Sequence, residues 1–347
     1  MKVLIASDAW EPQINGVVRT LQKLRELGPS VGLDLHFVTP DRFPTLPMPG
    51  YPEIRLALLR PGAFAREFNR IRPDIVHVAT EGPVGLAARQ TALKQGVPLT
   101  TSYHTRFPEY LAARLPVPPR WSYGALRWFH NAADAILVST PSLELELRQK
   151  GFGPLRRWSR GVDLAQYWPR TASTVDWPRP VFLNVGRVAV EKNLEAFLSL
   201  DLPGTKVIVG DGPQRAELEA RFPDAVFLGA RTGEELAEIY RQADIFVFPS
   251  QTDTFGVVIL EALASGLPVA AYPVMGPIDV LGGTGAGALS DDLRMAAMAA
   301  LTISQEACLA LARTYDWHAS VIQFRDALQE TLAVRQAGLG AGRRHVA

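Results

Sequence analysis

The sequence predicts an α/β protein of two Rossmann-like, doubly wound domains whose parallel sheets face each other across a cleft. Three observations predict it. Short Val- and Ile-rich runs alternate with longer helical patterns along most of the chain. The runs are almost continuously apolar, as strands are when helices cover both faces of a sheet. The alternation stops once, in a Pro- and Trp-bearing stretch at 167–180, and then resumes with the same grammar.

The strands of the first half fall at 2–7, 34–39, 75–78, 98–102 and 135–139, with helical patterns at 17–27, 83–94 and 141–150. The second half places strands at 181–185, 206–209, 225–228, 245–248 and 269–271. Its helices fit at 194–200, 214–221, 234–241 and 257–265. A last helical pattern at 319–334 has no strand after it. The expected domains are therefore 1–168 and 169–316. A C-terminal helix in 317–347 would pack back toward the first domain and end in a frayed tail, AGLGAGRRHVA.

With 347 residues and 47% hydrophobic side chains, the chain can bury real cores. A formal net charge of +1 argues neither for nor against a nucleic-acid partner, so an anionic ligand must be met by a few placed cations. The single cysteine, Cys308, lies in an Ala- and Leu-rich helical pattern and reads as core. One cysteine excludes an internal disulfide and fits a reducing compartment. The run VLIAS after Met1-Lys2 is too short for a signal-peptide core, and no apolar stretch approaches the roughly 20 residues of a membrane span. The expected location is cytoplasmic, with contact at the inner face of the cytoplasmic membrane.

Ligands of doubly wound sheets bind beyond the carboxyl ends of the strands, and chemistry-bearing residues gather there. In NVGRVAVEKN, Arg187 and Lys192 share one strand-to-helix loop, placed either to reach a diphosphate or as a solvated basic loop. In VIVGDGPQRAELEA, Gly210-Asp211-Gly212 ends a strand, as a structural turn or as backbone approaching a ligand. In FPSQTDTFGVVILEALASGLPVAA, Phe255-Gly256 opens an apolar helix whose first amides suit a phosphate or sugar oxygens. Asp253 precedes that helix as a sugar-gripping carboxylate or an N-cap. Glu261, eight positions on, is flanked by Leu260 and Ala262, and a carboxylate there needs a partner. In the first half, Gly16 opens the first helix. His104 ends the strand in TTSYHTRFPEY, and Glu81 follows the strand in HVATEGPVG. Between Arg106 and His130, Arg106, Arg114, Arg120 and Arg127 mix with aromatic residues. This suits an anionic membrane interface or ordinary helix packing with exposed arginines.

The stretch D-T-F-G-V-V-I-L-E-A-L-A-S-G-L-P-V resembles the E-x7-E motif of retaining GT-B-fold glycosyltransferases of family four (glycosyl transferases group 1). GRVAVEKN, GDGP, the F-L-G strand end at 227–229 and ADIFVFPS resemble that family in order and spacing. The SYHTRFPEY, TEGPVG and TDTFG spellings resemble a subgroup of bacterial diacylglycerol glycosyltransferases, sulfoquinovosyl-lipid synthases and GDP-mannose-dependent mannosyltransferases.

The resemblance implies a GT-B fold and hexosyl transfer from a UDP- or GDP-sugar to a hydroxyl, with the donor as co-substrate and no metal. By the family's roles, Arg187 and Lys192 bind the diphosphate, Glu261 the ribose, and Asp253 hydroxyls of the transferred sugar. The backbone of Phe255, Gly256 and Val257 lines the sugar and diphosphate. Gly210, Asp211, Gly229 and Arg231 lie near the base, and Gly16 near the donor phosphate. His104 stands beside the reacting sugar, and Glu81, Arg106 and Tyr110 toward the acceptor. Here Asp253 replaces the family's Glu, one methylene shorter, so the family's sugar does not carry over at that position.

The implied partners are a nucleotide sugar, a lipid or saccharide acceptor and an anionic membrane surface, with no nucleic acid. The acceptor would be a lipid such as diacylglycerol, with a phosphatidylinositol or polysaccharide mannosyltransferase as the alternative. A nucleotide-sugar epimerase of similar fold and a non-catalytic sugar-binding homologue also stay open. SDAWEPQING lacks the G-x-G-x-x-G of a dinucleotide-binding oxidoreductase.

Overall fold

The computed structural model describes residues 1–48, 51–104, 106, 119–169 and 175–344. These form two compact units. One draws on 1–106, 119–159 and the chain from His318 onward, and the other on 160–317.

The first unit holds β1 (Lys2–Ala6), β2 (Asp34–Val38), β3 (Thr45–Met48), β4 (Tyr51–Ala57), β5 (Ile75–Val78), β6 (Leu99–Ser102), β7 (Ala135–Val138) and β8 (Leu155–Arg157). Six of them form one parallel sheet in the order β2-β1-β5-β6-β7-β8. β3 and β4 pair separately as an antiparallel hairpin. The second unit holds β9 (Val181–Val185), β10 (Thr205–Val209), β11 (Val226–Phe227), β12 (Ile245–Phe248), β13 (Val269–Ala271) and β14 (Gly287–Leu289). Its parallel sheet runs β11-β10-β9-β12-β13-β14.

Strand periodicity divides each apolar run between two cores. In β1, Val3 and Ile5 face one core while Leu4 and Ala6 face the other. In β9, Val181, Leu183 and Val185 join one core and Phe182 the opposite one. β12 sends Phe246 and Phe248 one way and Ile245 and Val247 the other. Both faces are covered, which is why these strands read as unbroken apolar runs.

The expected boundary at 168 lies too late. Val162 and Tyr167 are buried in the core of the second unit. The Val162 amide donates to Tyr315 O at 3.0 Å, and Val162 bridges Asp316. A Cβ on Gly161 would lie 2.5 Å from Trp317 N, so outgoing and returning chain pack backbone to backbone. The last helix, Trp317–Arg344, extends beyond the 319–334 pattern. Its Val321, Phe324, Ala327 and Leu328 share the core of Val3, Ile5 and Trp158. Ser320 Oγ donates to Ser159 O at 2.8 Å, and Arg335 pairs with Asp134 at 2.6 Å. Among the described residues, no single helix is long and apolar enough to cross a membrane.

Cys308 is fully buried, and burial pushes its thiol up to about 12. Native protein should resist alkylation by iodoacetamide at pH 8, and denatured protein should label completely; rapid labelling of the native form would contradict this packing.

Candidate active site

Each sheet has one place where successive connections leave in opposite directions. In the second unit it lies between β9 and β12: the chain runs outward from β9 to β10 and β11, then crosses to β12. Connections leaving two such neighbours diverge, and the crevice at their carboxyl ends is open to a ligand. Arg187 and Lys192 follow β9, and the segment from Asp253 to Glu261 follows β12. The two strands pair only at Phe182–Ile245 and Leu183–Phe246. Beyond that, the buried Asn184 side chain donates to Val247 O at 2.9 Å, taking the place of a ladder amide.

Hydrogen bonds lace the two segments together. Ser250 Oγ and Thr252 Oγ1 each donate to Glu191 O at 3.3 Å, and Asn193 Nδ2 donates to Pro249 O at 3.2 Å. Lys192 Nζ donates to Asp253 Oδ1 at 2.6 Å, with side chains 25% and 16% exposed. Asp253 is thus not the N-cap of the following helix, Val257–Ala264. That position is Gly256, at φ 83°, and no side chain caps the helix. Its start keeps its partial positive charge. The Phe255 ring is buried, edge-on to Tyr315 at 6.0 Å.

Glu261 is 3% exposed, and the fully buried Tyr240 hydroxyl donates to its Oε2 at 3.0 Å. This is the partner that a carboxylate in an apolar helix requires. The sequence shows no sign of Tyr240 or Asn184. It also missed Gly276, at φ 85°, where a Cβ would sit 3.1 Å from Asp253 O.

The glycines of Gly210-Asp211-Gly212 are demanded by close backbone packing. At φ 146° and 158°, a Cβ on Gly210 would lie 1.8 Å from Gly186 O, and one on Gly212 2.4 Å from Val188 O. They let this turn lie directly on the Arg187 loop. Gly210 N donates to Gly229 O at 2.9 Å, Val188 N donates to Asp211 O at 2.9 Å, and Asp211 pairs with Arg215 at 3.0 Å. Gly210, Asp211 and Gly229 therefore adjoin the β9 loop. Arg231 is exposed and reaches its near neighbours Ala230 O and Glu235.

In the first unit the reversal lies between β1 and β5. Asp8, just past β1, is buried. Its carboxylate accepts from Val84 N at 2.8 Å, Gly85 N at 3.1 Å and Thr80 Oγ1 at 3.2 Å. Burial pushes its carboxyl above the usual range, and the two backbone amides and Thr80 pull it partway back. Glu81, on the loop so anchored, accepts from His130 Nε2 at 3.1 Å, and His130 Nδ1 meets Thr101 Oγ1 at 2.9 Å. Gly16 starts the helix Gly16–Leu27, where Asn15 Oδ1 already accepts from Val17 N and Val18 N at 3.0 Å each. Two first-turn amides are thus taken, which narrows what this helix start offers an anion. His104 follows β6, edge-on to Trp158 at 5.9 Å. Arg106 is half-buried and pairs with Glu146 at 3.2 Å. Burial raises the Glu146 carboxyl, but Lys150, Arg106 and Tyr123 more than offset this and hold it below the usual range. Arg106 is therefore a packed ion-pair member, unlike the loose surface cation of the membrane reading. Tyr110 lies outside the described residues.

Residues 14–166 match the family model described as Glycosyltransferase Family 4, and residues 179–305 match Glycosyl transferases group 1. A GDP-mannose-dependent alpha-mannosyltransferase of Mycobacterium tuberculosis (strain CDC 1551 / Oshkosh) is 33% identical over 316 residues, 81% of each chain. The chain belongs to glycosyltransferase family 4. The sulfoquinovosyl transferase SQD2 of Arabidopsis thaliana is 34% identical over 75% of this chain and 56% of its own length. Among solved structures, a sucrose-phosphate synthase from Thermosynechococcus elongatus superposes with TM-score 0.78 at 19% identity, covering 96% of this chain and 99% of that one. The fold is GT-B, and the enzyme is a hexosyltransferase.

The glycine packing is open to a direct check. Gly210→Ala combines a disfavoured backbone angle with a backbone clash, and should cost about 2–4 kcal/mol of stability. Chemical denaturation measures it; an unchanged midpoint would remove the packing account of this glycine.

Proposed function

We propose that this glycosyltransferase moves a hexosyl group from a UDP- or GDP-linked sugar to a hydroxyl of a membrane lipid, with retention at the anomeric carbon. The Lys192–Asp253 pair beside an uncapped helix start is the observation that carries the donor half. Without a donor, Lys192 pairs with one oxygen of the Asp253 carboxylate. A sugar diphosphate offers each a new partner, phosphate oxygens for Lys192 and sugar hydroxyls for Asp253. Glu261, held by Tyr240, takes the ribose hydroxyls.

The bond between anomeric carbon and diphosphate oxygen breaks as the acceptor oxygen bonds on the same face, and the acceptor's proton passes to the departing diphosphate. Charge on that diphosphate grows through the transition state. Arg187, Lys192 and the helix amides stabilise it most strongly there. With those cations in place the reaction needs no metal, and excess EDTA should leave the rate unchanged.

The acceptor half rests on the helix Pro119–His130. Trp121 and Trp128, seven positions apart on one side of it, are 68% and 60% exposed. The Arg89 guanidinium stacks on Trp128 at 4.1 Å, and Arg120 and Arg127 are exposed beside them. Tryptophan with arginine suits an anionic membrane interface, here the inner face of the cytoplasmic membrane. A second reading, mannosyl transfer, draws support from the GDP-mannose-dependent relative.

Release of nucleoside diphosphate from UDP-glucose, UDP-glucuronate, UDP-galactose and GDP-mannose, with and without lipid, separates the donors; no release from any of them overturns the proposal. Arg187→Ala and Glu261→Ala should each weaken nucleoside-diphosphate binding by about 10- to 100-fold, the loss of one charge-assisted contact. Calorimetric titration at parental affinity would sink these assignments. Trp121→Ala/Trp128→Ala should lose co-sedimentation with phosphatidylglycerol vesicles, and unchanged sedimentation would end the membrane reading.

A further inference from the structure

The reversal point of the first sheet holds a pair of groups that the donor chemistry does not use. Glu81 stands just past the carboxyl end of β5, where a doubly wound sheet receives its ligand. Its side chain is 22% exposed. One oxygen, Oε1, is bound by His130, which is fully buried. His130 is fixed in turn at Nδ1 by the buried Thr101 hydroxyl. Since a carboxylate only accepts, the hydrogen lies on His130 Nε2. The histidine thus holds one side of the Glu81 carboxylate from beneath and leaves its second oxygen toward the exposed side.

The loop that carries Glu81 is built rather than merely ordered. Asp8 takes the Val84 and Gly85 amides and the Thr80 hydroxyl. A Cβ on Gly82 would lie 2.4 Å from Asp8 Cγ, and one on Gly85 1.8 Å from Thr80 O. Neither glycine has a positive φ, so packing alone demands them. Burying Asp8 and closing the loop over it costs stability. The product is one carboxylate oxygen held in place at the mouth of the sheet.

We infer that Glu81 is the hydrogen-bond acceptor for a hydroxyl of the glycosyl acceptor, with His130 and Asp8 as its positioning residues, and that this end of the acceptor is uncharged. The Asp8 and Glu81 carboxyl groups, on the loops after β1 and β5, lie close enough for Glu81 to raise the Asp8 carboxyl electrostatically. A phosphate beside the bound hydroxyl would meet like charge there, whereas a glycerol-type or sugar diol meets an acceptor oxygen. The inference rests on the transferase reading and sharpens it to a neutral hydroxyl.

The test compares dioleoylglycerol with phosphatidylinositol as acceptors in the same mixed vesicles, using the full chain. The parent should prefer dioleoylglycerol by at least about tenfold in kcat/KM. Glu81→Gln should lower transfer to it at least about tenfold while calorimetry finds nucleoside-diphosphate affinity near the parental value. His130→Met should raise the acceptor KM about tenfold and leave the donor KM in place. His130→Gln, whose amide can donate near the Nε2 position, should recover most of that loss. Glu81→Gln/His130→Met should be no worse than Glu81→Gln, as expected when one residue acts through the other.

Parental transfer by Glu81→Gln overturns the assignment while leaving the transferase reading intact. So does a His130→Met variant that shifts donor KM and melting temperature together with acceptor KM. Preference for phosphatidylinositol overturns the neutral-acceptor claim. Absence of any transfer by the parent overturns the transferase reading, and this inference with it.

Discussion

The second unit of this enzyme depends on one topological constraint. β9 is one of the two central strands of its sheet, and the chain must leave it on one side and later return on the other beside β12. The two connections diverge, and no side-chain design is needed to open the crevice. Particular residues decide how far it opens and what lines it. Asn184 ends the β9–β12 ladder early, and Glu191 O gathers Ser250 and Thr252 from across the gap. Lys192 and Asp253, 61 positions apart in the chain, then meet at 2.6 Å. The first unit repeats the scheme between β1 and β5, with a buried aspartate instead of an asparagine managing the opening.

The two openings carry opposite electrostatics. In the second unit, Arg187, Lys192 and an uncapped helix start supply positive charge, moderated by Asp253. In the first, Asp8 and Glu81 supply carboxylates, Asp8 takes the first amides of the helix Pro83–Gln95, and Asn15 takes those of Gly16–Leu27. A net charge of +1 conceals this division.

Much of the fold was legible because doubly covered strands carry apolar residues at every position. β9 reads VFLNV and β12 IFVF, and both appear at their predicted places. β8 did not, since an edge strand reading LRR carries charge instead of apolar continuity. β14, GAL, is too short to show a period. The hairpin of β3 and β4 contains prolines at 47 and 52, which mask strand character. The unit boundary was misplaced because Val162 and Tyr167 stand next to an irregular stretch, and only packing shows that they are core. Glu261 was readable as a carboxylate inside an apolar helix. Its holder Tyr240, 21 positions earlier, was not, because a tyrosine in an amphipathic helix already has a reason to be there. The Glu81–His130 pair spans 49 positions and has no local signature.

The first unit is discontinuous. The segment 318–344 packs in the core of Val3, Ile5 and Trp158, yet it is made only after the whole second unit. During synthesis the first 159 residues leave the ribosome with that core incomplete, and it stays incomplete while the whole second unit is translated. The second unit is encoded without interruption and can close first. Completion of the first unit therefore waits until the second has been made.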